Sequence, residues 1–235
     1  MFLLVINLFE IVAAVSGSIY INKYREDLLS RYFVYFLWFT AFFDITFGWL
    51  PTFIRDFDQL TFLENTFLYY NQWAYNTYDV ISFSFYLFYF SNFLESSRLK
   101  KLSRIFIIIY VVTSLAYLVF SGVYFSSPSL YGLLIGTIFL LFLIIGYYFQ
   151  VLKSDKILVF HKNLVFYFSI GALVFHVLVN PIFIYGQYYE KKSPEFIEIY
   201  RLILTAANIF MYTCYTIGFI VCWRKNKSYS LSTLQ

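Results

Sequence analysis

Three carboxylates lie inside long apolar stretches of this 235-residue chain, Glu10, Asp44 and Asp79, with no Lys or Arg at comparable depth in any stretch. An ionisable side chain at membrane depth is expensive and usually faces the interior of a helix bundle. His176, Asn180 and Asn208 add polar groups in two later apolar stretches, and Tyr75 and Asn76 precede Asp79 in its own. A carboxyl with no buried counter-charge either holds its proton or binds a cation. Several acids beside one His therefore suit a proton relay, a Na⁺ site or a pocket for an amine-bearing ligand. Trp38, Trp49, Trp73, Tyr75 and Tyr78 offer ring faces for cation–π contacts with such a ligand.

The elements that must position these groups are seven stretches of 21 to 25 mostly apolar residues, expected at 2–22, 32–54, 71–94, 105–125, 131–152, 163–185 and 199–223. Each is long enough to cross a hydrocarbon core of ~30 Å at ~1.5 Å rise per residue. The fold class expected is all-α, a polytopic membrane protein with seven transmembrane helices in a single domain. Of the 17 basic residues, 13 fall in the first, third and fifth gaps and in the tail 224–235. The other four, Arg55, Lys191, Lys192 and Arg201, lie among acids around the second and sixth gaps. The positive-inside rule then places the N-terminus outside and the C-terminus, with its short basic tail, in the cytoplasm. The stretch 2–22 has its basic residues after it rather than before, so it reads as a first span and not as a cleaved leader.

Alternating span directions give the polar residues a common depth. Counted from the outer end of each span, Glu10, Asp79, His176 and Asn208 lie about eight or nine residues in and Asp44 about ten, a layer roughly 12–15 Å below the outer surface. In the third span Gln72, Tyr75, Asn76, Asp79, Ser82 and Tyr86 follow helical steps and form one polar stripe. Arg201, Thr205, Asn208, Tyr212 and Tyr215 repeat the pattern in the seventh, while Thr40, Asp44 and Gly48 share a face in the second, and Glu10, Ala14 and Gly17 in the first. Small residues beside the acids allow close helix approach. For Asn208, Asn76 and Ser82 the plainer reading is that each satisfies a neighbour across a helix interface.

The remaining features narrow the classes. Cys214 and Cys222 lie eight residues apart along one span, too far for a mutual disulfide, and no metal-ligand spacing involves them. Many of the 24 Tyr and the Trp residues fall near span ends, as interfacial belts require. Gaps of mostly about ten residues leave no room for a soluble domain. The net charge of +4 comes from the cytoplasmic flank and suits anionic lipid; it does not point to nucleic acid. Spans 1–3 align loosely with spans 5–7, with Pro51 and Pro181 near corresponding outer ends and Asp79 opposite Asn208, as in transporters built from parallel repeats.

In length, orientation and paired prolines the chain resembles the three-plus-one-plus-three sugar transporters, although their Pro-Gln motif is absent. His176-Val-Leu-Val-Asn180 is similar to an element of intramembrane prenyl-protein proteases, whose paired glutamates are missing here. No Lys in the last span could carry retinal, and two His residues are too few for a ceramidase-type metal centre. With Glu10 in the first span and Lys153-Ser-Asp-Lys156 before the sixth, the chain looks most like small seven-helix membrane proteins of bacteria. The expected function is a sensor-like or ligand-binding protein of the cell membrane, multi-pass and of bacterial cytoplasmic type. A small cationic or polar ligand enters from outside to Glu10, Asp44, Asp79, His176, Asn180, Asn208, Tyr75 and Asn76, and the segment Arg98 to Arg104 engages a cytoplasmic or membrane protein partner. The alternative is a small-solute or cation-coupled transporter with the same pocket at its midpoint; an intramembrane hydrolase comes third. The sequence assigns no catalytic residue and no cofactor.

Overall fold

The computed structural model describes residues 2–188 and 194–232. The described residues hold eight α-helices and no strand: α1 Phe2–Lys23, α2 Leu28–Phe43, α3 Trp49–Asp56, α4 Gln72–Ser91, α5 Ser97–Phe120, α6 Leu130–Leu152, α7 Leu164–Tyr188 and α8 Pro194–Ser232. A single π-turn, Asp44–Gly48, joins α2 to α3, and short 3₁₀ segments occupy Asp58–Leu63, Asp155–Leu158 and Phe160–Lys162. Six helical segments are long and apolar enough to cross a membrane: Phe2–Lys23, Leu28–Asp56, Ser97–Phe120, Leu130–Leu152, Leu164–Gly186 and Phe196–Arg224. The stretch expected at 71–94 is helical as α4, but it is not among the six, because its polar stripe dilutes its apolar character.

Two boundaries differ from the sequence expectation for local reasons. The basic run Arg98 to Arg104, read as a gap, forms the first two turns of α5, which Ser96 caps by accepting the Leu99 N–H on its Oγ. The tail is helical too, as α8 runs on to Ser232. Glu190, Lys191 and Lys192 of the sixth gap and residues 233–235 lie outside the described residues.

The helices sort into two compact units. The first takes in residues 1–41, 148–179 and 189–235, and in it α1 packs along α8. Gly17 makes the approach possible: a Cβ there would stand 2.6 Å from Val34 Cγ2 on α2 and 2.9 Å from the Phe219 ring on α8. Below this contact Phe33 stacks on Phe168 at 3.9 Å, and Tyr215 meets both rings edge-on at 5.2 and 5.3 Å. The α1–α2 turn is fixed by Asp27, which accepts from Ser30 N–H, Ser30 Oγ and Tyr20 Oη. Lys23 Nζ and Tyr24 Oη both donate to the Trp223 carbonyl, and the Lys23 ammonium lies 4.6 Å from the Trp223 ring centre.

The second unit comprises residues 42–147 and 180–188, and here α4 packs along α5. The Phe83 ring of α4 lies flat over Gly136 of α6, where a Cβ would come within 2.6 Å of it, and meets Tyr110 of α5 edge-on at 5.7 Å. Phe106 and Phe139 stack at 4.3 Å to join α5 to α6. After α5 the chain reverses at Gly122, whose φ of 74° lies in the left-handed region that glycine adopts without steric penalty.

Candidate functional site

The site begins with a proline. Pro51 is the third residue of α3, and a proline inside a helix has no N–H for the carbonyl four residues back while its ring crowds that carbonyl. The carbonyl in question belongs to Phe47, and the helix relieves the conflict by widening into the π-turn Asp44–Gly48 just upstream. Phe47 O is then served from elsewhere: Asn71 Nδ2 donates to it at 3.0 Å. Asn71 directly precedes α4 and makes no side-chain cap there, its amide being committed to the π-turn. One hydrogen bond thereby sets the register of α4 against the widened turn.

That register leaves two acids within electrostatic reach of each other. Asp44 opens the π-turn, Asp79 lies on α4, and the charge of Asp44 acts on Asp79. Both side chains are partly buried, and Asp44 Oδ1 is out of solvent. Rings gather beside them: Phe43 stacks on Tyr78 at 4.9 Å, meets Tyr75 edge-on at 5.8 Å and touches Phe47 at 4.6 Å, while Phe47 meets Trp73 edge-on at 5.5 Å. The backbone under Asp79 is held from α5, where Tyr110 Oη donates to the Asp79 carbonyl at 3.3 Å. Two carboxylates within electrostatic reach, with ring faces at hand, suit a small cation. Among the described residues no three of His, Cys, Asp and Glu gather as a metal-ligand set.

Asn76, one turn from Asp79, has its polar atoms occupied by a loop. Its Nδ2 donates to the carbonyls of Tyr124 and Ser127 at 3.0 Å and of Val123 at 3.4 Å, and its Oδ1 accepts from Ser129 N–H at 2.9 Å. It is a staple for the turn between α5 and α6. Asn180, just before Pro181 in α7, donates from Nδ2 to Thr137 Oγ1 on α6, and its buried Oδ1 has no hydrogen-bond partner among the described residues.

The remaining expected site residues belong to the first unit: Glu10, His176 and Asn208, while Asp44, Asp79, Asn180, Tyr75 and Asn76 belong to the second. Glu10 is almost fully buried and accepts from Asn7 Nδ2 at 3.0 Å, one turn earlier on α1. His176 is buried next to the Phe175 ring, and Asn208 donates back to the Leu204 carbonyl of its own helix. Of the expected ring wall, Trp73, Tyr75 and Tyr78 lie around Phe43 and Phe47. Trp38 instead donates from Nε1 to Ser18 Oγ in the first unit, and Trp49 stacks on Phe53. Sequence reasoning passed over Phe43, Phe47, Asn71 and Thr137. The signal for Asn71 was available in Pro51, which orphans one particular carbonyl.

Compared with protein-family models, with curated proteins and with solved structures, the chain matches none.

Proposed function

We propose that this is a sensor-like, ligand-binding protein of the cell membrane in which Asp44 and Asp79 hold a small cation, Na⁺ or an organic ammonium, that arrives from the outer side. The observation that carries the reading is that these two carboxylates lie within electrostatic reach of each other, one opening a π-turn, with Phe43, Tyr75 and Tyr78 packed alongside. Single π-turns inside α-helices recur at functional sites. The topology proposed has seven spans, with α4 as the third, the N-terminus outside and the C-terminus in a cytoplasm of bacterial type. Two facts favour α4 as a span: its 20 residues reach about 30 Å, and it packs along α5. Binding would draw the π-turn and α4 together and pass the shift along α4 to its cytoplasmic end. No residue is assigned a catalytic role.

A coupled transporter is the second reading, favoured by Pro181, which lies inside α7 as Pro51 lies inside α3. The test is thermal unfolding of the purified protein in Na⁺ against choline, with a panel of small amines, for wild type and Asp79→Asn. A ligand at a hundred times its Kd stabilises the folded state by about 2.7 kcal/mol. Wild type should gain and the variant should not; equal behaviour in every condition refutes the cation site. Flux of the stabilising ligand into proteoliposomes would move the assignment to transport.

A further inference from the structure

The helix α5 carries a feature that the cation site does not use. It is the least buried of the six apolar helices. Ser103, Tyr110, Ser114 and Leu118 form its buried side, while Ile105, Ile108, Val112, Leu115 and Val119 are between 43% and 74% exposed. Helical spacing puts these five on one stripe, and continuing that stripe toward the N-terminus reaches Arg104 and then Lys101, both exposed. Arg98 and Lys100 flank them, and none of the four makes a side-chain hydrogen bond or ion pair among the described residues. Against these four cations the stretch 92–120 holds one acid, Glu95.

We propose that this face of α5 is a binding site for an anionic phospholipid, its phosphate held by Lys101 and Arg104 and its acyl chains lying on Ile105, Ile108 and Val112. The dimensions fit: Arg104 to Leu115 spans about 16 Å along the helix, close to one leaflet of a ~30 Å hydrocarbon core. Long basic side chains at a helix end reach the headgroup level while their stems lie on apolar surface. A second copy of the chain fits poorly. Helix pairs in membranes approach through small residues, and the stripe offers only Ile, Val and Leu, while a parallel pairing would set Lys101 and Arg104 against their own copies.

The test compares phosphatidylglycerol retained against phosphatidylcholine, measured by native mass spectrometry of the full chain extracted from bilayers of equal parts of the two. Wild type should retain phosphatidylglycerol selectively, and the triple variant Arg98→Gln/Lys101→Gln/Arg104→Gln should lose selectivity by about a hundredfold, at roughly fivefold per charge. The control Lys23→Gln/Arg25→Gln/Arg31→Gln removes as much charge from the first gap and should leave it unchanged. On wild type alone, roughly 1 M salt in the detergent wash should strip the retained lipid, because it cuts the screening length to ~3 Å. Unchanged selectivity in the triple variant, equal loss in the control, retention indifferent to salt, or an acidic protein found on this face in place of lipid would each overturn the proposal.

Discussion

If Asn71 exists to serve the carbonyl that Pro51 cannot, the two residues must be energetically coupled. Asn71→Ala removes a 3.0 Å bond and leaves Phe47 O without its donor at a part-buried position. Deleting a hydrogen-bond partner costs ~1–3 kcal/mol when the group left behind is buried, and interhelical bonds in membranes average ~0.6 with a ceiling near 1.7. The part-buried setting places the cost at about 1–1.5 kcal/mol, or a fall in Tm of roughly 2–6 °C at ~2–4 °C per kcal/mol for a chain of this size. Pro51→Ala restores an N–H four residues after Phe47, so in that background the same Asn71→Ala change should cost less than about 0.5 kcal/mol. The assay is a double-mutant cycle by thermal unfolding in one detergent, with a Na⁺ arm for each variant. A coupling of about 1 kcal/mol is expected; additivity within ~0.3–0.5 kcal/mol would refute the reasoning. Pro51→Ala should also weaken the cation response, since relaxing the π-turn re-aims Asp44 relative to Asp79.

Two further expectations concern packing and the loop. Asn76→Leu removes three well-formed bonds worth ~0.6–1.5 kcal/mol each and should destabilise by about 2–4 kcal/mol; it should also open the 121–129 turn to chymotrypsin at Tyr124 and Phe125 while sparing the cation response. Gly17→Ala should cost about 1–3 kcal/mol through overpacking against Val34 and Phe219, and Gly17→Ala/Val34→Ala should recover part of it in the same melt.

How much of this was legible depended on what each residue's neighbours could reveal. The apolar runs read directly as helices, and the stripe expected through Tyr75, Asn76 and Asp79 lies on α4. The π-turn was hidden because periodicity assumes a constant 3.6 residues per turn, and Asp44–Gly48 departs from it for one turn only. The start of α5 was misplaced for the opposite reason: charge marked Arg98 to Arg104 as a gap, although Ser96 was a ready cap and Arg and Lys are good helix formers. Helix faces gave the azimuth of Glu10 and Asn208 but no partner. Asn208 turned back to its own backbone and Glu10 to Asn7, outcomes that spacing alone could not select.

The mixed character of α4 also bears on how the chain is made. An Asp near the middle of a span raises the free energy of insertion by ~2.5–3.5 kcal/mol, and α4 carries Asp79 together with Gln72, Asn76 and Ser82. On the topology proposed above, α4 does not commit to the bilayer when it leaves the ribosome. It waits for α5, which follows after five residues and brings the Tyr110 hydroxyl to the Asp79 carbonyl and the Tyr110 ring to Phe83. The two enter as a hairpin, with the basic start of α5 holding the turn on the cytoplasmic side. A chain truncated soon after Ser91 should therefore fail to hold α4 in the bilayer, and a chain extended through α5 should integrate it.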